Sequence, residues 1–140
     1  METHRTNTVS VRVDDQEIVH VVGDPDSTQT LADALQNVGL VTRLVGTARR
    51  PVLIDMRAVK YIERDARAYY ASEEGAMNAP AVAVVVDSQV TRMLANLVLS
   101  MVRSGTPRRL FTDLSSARGW LNRIRKAPPG ASGPNPTAGA

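Results

Sequence analysis

AVAVVV, Ala81 to Val86, is apolar at every position. A strand with one face in water alternates apolar and polar side chains. A run without alternation fits a strand covered on both faces, in the middle of a mixed or parallel sheet. Helices are therefore expected on both sides of it.

Working outward toward the N-terminus, Val9, Val11 and Val13 alternate with polar residues. Four turn-like polar positions follow, then a β-branched run from Ile18 to Val22, which together predict a hairpin. Leu31, Leu35, Val38, Val41 and Val45 recur every three or four residues, preceded by the capping candidates Asp26, Ser27 and Thr30 and closed by Gly46. This spacing predicts an amphipathic helix, weakened by Gly39. Pro51 opens a short apolar strand, Val52 to Asp55. A helix is predicted from about Glu63 to Met77, stopped by Asn78 and Pro80.

Beyond the apolar run, Asp87 or Ser88 can cap a helix reaching Val102, with Val90, Met93, Leu94, Leu97, Val98 and Met101 on one stripe. Ala95, Leu99 and Val102 lie on the opposite arc. They mark either a partner interface or the second face of a fully buried helix. RRLFTD then gives a last short strand. Leu114, Ala117, Leu121 and Ile124 mark a final helix capped by Asp113. The expected fold class is α/β: an N-terminal β-hairpin, then alternating helix and strand, in a mixed, mostly parallel open sheet with helices on both faces. Residues 1–7 are expected to be a flexible N-terminus, 8–126 the single domain, and 127–140 a disordered tail rich in proline, glycine and alanine.

Composition removes several function classes. With 140 residues, 43% of them hydrophobic, the chain suits one domain with a real core. The absence of cysteine excludes disulfides, thiolate zinc sites, iron–sulfur clusters and thiol nucleophiles, and fits a cytoplasmic home. No apolar run approaches the roughly 20 residues of a membrane span, and METHRTNTVS has no apolar central region. Arg103, Arg108, Arg109, Arg118, Arg123, Arg125 and Lys126 face Asp113 alone among the acids of that stretch, so the C-terminal quarter is basic. With only Phe111 and Trp120 there to stack on bases, nucleic acid is not the expected partner, and solvated charge accounts for the patch.

Catalytic patterns are thin. His4 and His20 are the only histidines, so neither a histidine triad nor a zinc site is expected, and no metal or cofactor is assigned. The phosphate-binding GxxxxGK[ST], GxGxxG and GxSxG patterns do not occur. Tyr61, Tyr69 and Tyr70 are candidates for lining a pocket, although aromatic residues at that spacing more often serve core or interface.

The segment DMRAVKYIERDA, Asp55 to Ala66, resembles the motif of anti-sigma-factor antagonists of the STAS family, in which a strand-end Asp-Leu-Ser leads through Val and Phe to Asp-Ser-Ser-Gly at a helix start. Asp55 matches the leading Asp, Val59 the Val, Tyr61 the Phe, Ile62 the following apolar residue and Glu63 the second Asp. The resemblance runs from about Val9 to Ile124 and is nearest to bacterial SpoIIAA-like or STAS/SEC14-like proteins of uncharacterised function. It implies a STAS-like fold and a regulatory, protein-binding role. In the antagonists a serine of that motif is phosphorylated to control partner binding; here Arg64 and Asp65 occupy the two serine positions and Ala66 the glycine, so no hydroxyl remains.

Three readings of this junction stay open. Carboxylates in a first helical turn can satisfy free N–H groups and the helix dipole. A fixed charge pattern of Arg57, Glu63, Arg64, Asp65 and Arg67 can form a docking face for a protein partner or a second copy, giving a homodimer or larger homo-oligomer. Asp55, Glu63 and Asp65 can serve as acid, base or metal ligands. Ser88, Ser115 and Ser116 are the remaining candidates for modification, each equally explained by helix-end roles. The expected function is non-enzymatic binding of a protein. The alternative is a small-ligand module for a nucleotide or lipid, using Asp55, Asp87 and Asp113 at the strand ends. An enclosed apolar pocket with a few convergent polar groups would favour that alternative.

Overall fold

The computed structural model describes residues 2–88 and 105–126. The predicted hairpin forms from β2 (Val9–Val13) and β3 (Val19–Gly23), antiparallel with Val11 opposite Val21. Ahead of them lies β1 (Thr3–Arg5), paired antiparallel to β2. This corrects the expectation of a flexible 1–7 segment. Arg5 holds its end of the strand through paired hydrogen bonds to Asp24 at 3.1 and 2.7 Å.

After the two-residue β4 (Thr28–Gln29) comes helix α1 (Leu31–Val45), as the periodicity predicts. Of the three cap candidates Thr30 does the work. Its hydroxyl accepts from the Asp33 N–H while the Asp33 carboxylate takes the Thr30 N–H, a reciprocal pair contributing about 1 kcal/mol. The buried stripe is rotated from the expected one. Leu35 is 48% exposed, and Ala34 and Asn37 face inward with Val38, Val41 and Val45.

Strands β5 (Val52–Asp55), β7 (Val82–Val85) and β8 (Arg108–Phe111) continue the sheet parallel to β3, giving the order β1-β2-β3-β5-β7-β8. All four residues of β7 are buried, as its unbroken apolar run requires. On one face Val9, Val11, Val19, Val21, Val52, Val82 and Val84 pack against α1 and α2 (Arg64–Ala71). On the other, Ile18, Leu53, Ala81, Ala83 and Val85 meet Ala117, Trp120 and Leu121 of α3 (Leu114–Lys126).

Helix α2 is shorter than predicted. It ends at Ala71, the backbone turns extended at Ser72, and a 3₁₀ turn (Glu74–Ala76) leads to Met77 and Asn78, both in left-handed conformation. At this end Arg108 of β8 donates to the Tyr70 and Ser72 carbonyls, and Gly75 folds back against the α2 backbone at Tyr69 and Tyr70. A second small parallel sheet joins β4 to β6 (Tyr61–Ile62), pairing Thr28 with Tyr61 and Gln29 with Ile62. It pins the segment leading into α2 beside the start of α1.

The basic C-terminal patch is partly structural. Arg118 pairs with buried Asp14 at 2.6 Å, Arg125 donates to the Gln16 carbonyl at 2.7 Å, and Arg108 is buried. The helix predicted to reach Val102, with Ala95, Leu99 and Val102, falls outside the described residues apart from Ser88 at its start, and so does the tail 127–140. No helix among the described residues is long and apolar enough to cross a membrane.

Candidate functional site

At the start of α2, Glu63 occupies the N-cap position, yet its side chain makes no capping hydrogen bond. Asp65 accepts the N–H of Ala66 at 2.8 Å, so helix-end satisfaction accounts for Asp65 and leaves Glu63 and Arg64 as exposed charge. Ala66 is fully buried, which limits that position to a small side chain. Tyr61 is 43% exposed, and the Arg67 guanidinium lies over its ring, 5.8 Å from the centroid. The structure therefore gathers Tyr61, Glu63, Arg64, Asp65 and Arg67 around one helix start.

Two of the strand-end carboxylates are already engaged. Asp55 accepts Nε and Nη2 of Arg57 at 3.0 and 2.8 Å and the Arg57 backbone N–H at 3.1 Å. Burial pushes the Asp55 carboxyl up, but these donors outweigh it and leave its pKa lowered. Asp113 caps α3, accepting the Ser116 N–H at 2.7 Å and its hydroxyl at 2.9 Å. The Ser116 N–H and hydroxyl hold the Asp113 pKa down, and the Arg57 charge acts in the same direction. Strands β5, β7 and β8 run parallel with Asp55 level with Val85 and Val85 with Phe111, so Asp55 and Asp113 stand at the same end of the sheet. Asp87 is exposed. Among the described residues no cluster of three or more histidines or acids could hold a metal ion.

The more informative site lies inside. A cavity of about 70 Å³ sits between the sheet and helices α1 and α2, walled by Val9, Val21, Ile54, Val82 and Val84 of the sheet, Val38 and Val41 of α1, and Met56 and Met77. That is room for roughly five waters. Polar groups reach it from three directions. Gln29 of β4 is 0% exposed, Asn37 of α1 is buried, and Tyr70 of α2 stands between them.

These side chains form one chain of hydrogen bonds. The Thr6 hydroxyl donates to Asn37 Oδ1 at 2.6 Å, Asn37 Nδ2 donates to Thr8 and to the Tyr70 oxygen at 3.1 Å each, and the Tyr70 hydroxyl donates to Gln29 Oε1 at 2.6 Å. Burial pushes the Tyr70 phenol up to about 12, so it stays protonated and keeps donating at any physiological pH. Gln29 Nε2 is left without a hydrogen-bond partner.

Arg108 enters from β8 and is 5% exposed. Its Nη1 and Nη2 donate to the carbonyls of Tyr70 and Ser72 at 2.6 Å each, closing the C-terminal end of α2 with a cation. Its Nε has no hydrogen-bond partner. Each buried donor left unmade costs about 1–3 kcal/mol, and both atoms are covered by neighbouring side chains, so the cavity surface itself is almost wholly apolar.

Of these residues the sequence marks Tyr70 as a pocket candidate and places Arg108 in a basic patch of solvated charge; the structure buries Arg108 instead. Asn37 carried a usable signal, since a polar residue on the Ala34–Val38–Val41–Val45 stripe is the unusual feature of an otherwise apolar face. Gln29 gave none.

Comparison with known proteins agrees with the architecture. The model of a family described as "Domain of unknown function (DUF7793)" matches residues 11–125. No curated protein matches the chain. Among solved structures, an uncharacterised protein of the DUF3478 family with a SpoIIAA-like fold, from Shewanella loihica PV-4, superimposes with a TM-score of 0.56 at 13% identity. The match covers 81% of this chain and 91% of that one. The fold is thus SpoIIAA-like, as the motif at Asp55–Ala66 implied.

Proposed function

The chain belongs to the family described as Domain of unknown function (DUF7793), and we propose that it works as a binding module with a small-molecule site between the sheet and helices α1 and α2. One observation carries this reading: a cavity with valine, isoleucine and methionine walls lies between the sheet and the two helices, bordered by the hydrogen-bonded side chains of Asn37, Tyr70 and Gln29. Natural small-molecule sites have that composition, mostly apolar with a few placed polar groups. The ligand alternative expected at the strand ends is thereby moved one layer inward, since Asp55 and Asp113 already spend their carboxylates on Arg57 and on the α3 terminus.

A second reading is favoured by a different observation, the exposed Tyr61 ring under Arg67 amid Glu63, Arg64 and Asp65. Rings and arginines are enriched where proteins dock. The place corresponds to the phosphorylated switch of the STAS antagonists, and a fixed charge pattern there supports constitutive docking of a regulatory partner.

Native mass spectrometry of the chain purified gently from its own host tests both. The expected spectrum carries a stoichiometric small-molecule adduct that is lost on denaturation. A ligand-free chain with a co-purified protein would move the docking reading to first place.

A further inference from the structure

Resting on the reading of the cavity as a binding site, we propose that its ligand is a small uncharged molecule with a hydrocarbon body, held by packing and offered no hydrogen bond by the protein. The polar side chains at the border are the reason. Asn37 Oδ1 accepts from Thr6, Asn37 Nδ2 donates to Thr8 and Tyr70, and the Tyr70 hydroxyl donates to Gln29 Oε1, so these groups satisfy one another. Arg108 directs Nη1 and Nη2 to the Tyr70 and Ser72 carbonyls, and the Arg67 guanidinium lies over the exposed Tyr61 ring. The donors left over, Gln29 Nε2 and Arg108 Nε, are covered by neighbouring side chains and present nothing to the cavity.

The wall that remains is hydrocarbon, with Val9, Val21, Val82 and Val84 on the sheet side and Val38 and Val41 on the α1 side. Apolar atoms facing a void have no partners and forfeit their dispersion contacts. Water does not restore them, because a buried water needs two to four polar partners and an apolar cavity stays dry. A hydrocarbon restores those contacts and needs nothing else from the walls.

The same walls set what is refused. A carboxylate or a second hydroxyl would lose its hydration with no donor or acceptor to replace it. A volume of about 70 Å³ accommodates a body of roughly four to six carbons, so long acyl chains and nucleotides are excluded by size in this conformation.

Isothermal titration calorimetry on the full chain with three six-carbon probes, hexan-1-ol, hexane-1,6-diol and hexanoate, tests the inference. Hexan-1-ol is expected to bind one to one. The diol, with a second hydroxyl to set against valine, is expected to bind at least about tenfold more weakly, and hexanoate no better than the diol. Each valine of the wall is one methylene short of isoleucine, so Val38→Ile combined with Val84→Ile should reduce the space and weaken hexan-1-ol at least about tenfold. Val84→Phe is a second filling variant with the same expected direction, and thermal melts confirm that each is folded.

Diol or hexanoate binding as tight as that of hexan-1-ol, and lost in the filled variants, would overturn the uncharged apolar assignment and leave the cavity reading standing. Hexan-1-ol binding undiminished in both folded variants would place the ligand elsewhere and overturn both. No binding of any of the three probes would also overturn both.

Discussion

Alanine at Gly75 is expected to lower the free energy of unfolding by about 3 kcal/mol, at the upper end of what overpacking costs, and to shift the melting temperature by roughly 10 °C. The reason is backbone contact. A Cβ on residue 75 would lie 2.1 Å from the Tyr70 carbonyl oxygen and 2.7 Å from that of Tyr69, distances that no side-chain rearrangement relieves. The Tyr70 carbonyl is also where Arg108 Nη1 is anchored, so the displacement would loosen α2 from β8 and deform the cavity wall to which Gly75 belongs. Denaturant unfolding of Gly75→Ala against the wild-type chain measures it. A midpoint within experimental error of wild type would mean that the α2 end is not packed as described.

The second large effect concerns Asp14, at the hairpin turn between β2 and β3. Its carboxylate is 5% exposed and accepts three donors: the N–H of Gln16 at 2.9 Å, that of Ile18 at 3.1 Å, and Arg118 Nη1 at 2.6 Å. Asp14→Ala leaves two N–H groups and a guanidinium without that acceptor, and detaches α3 from the hairpin. Removing one partner of such a pair costs about 3–5 kcal/mol, and the partial exposure of Arg118 puts the expected loss near 3.

The pH dependence follows with its sign. Burial raises the Asp14 carboxyl, the Arg118 hydrogen bond and the two N–H donors more than reverse this, and the net pKa is lowered. Its contribution is therefore complete above the ordinary carboxylate value of 3.8 and is lost as pH falls through that value toward the folded-state one. The alanine variant should accordingly show a shallower decline in stability below pH 4 than the wild-type chain. The decline persists in part, because Asp55 and Asp113 are lowered as well. Parallel declines in the two proteins would remove Asp14 from the account.

How far the sequence leads depends on the distance over which each feature is encoded. The buried β7, the hairpin and α1 are written locally, in an unbroken apolar run, an alternation and a three-to-four spacing, and they form where expected. The pairing of β4 with β6 has two residues on each side and a partner 33 positions away, so no local pattern announces it. The carbonyls at the early end of α2 are likewise met from far along the chain, by Arg108.

The cavity was the least legible part. Tyr70 is joined to Asn37, Gln29 and Arg108 across 33, 41 and 38 residues. Each of them taken alone has an ordinary explanation, as a surface amide or a member of a basic run. The motif at Asp55–Ala66 was legible because strand end, connection and helix start are contiguous. The structure adds that Asp55 is consumed by Arg57 while Glu63 and Arg64 stay exposed.

The most direct test of the central claim is a methyl-resolved NMR titration of the full chain with a small apolar probe, hexan-1-ol, following Val21, Val38, Val41, Ile54 and Val84. Those residues come from β3, α1, β5 and β7 and all line the cavity. The account predicts saturable shifts concentrated on these methyls, with the Val19 and Leu53 methyls, outside the lining, nearly unmoved. Shifts confined to surface residues around the strand ends, or no shifts at saturating ligand, would contradict it.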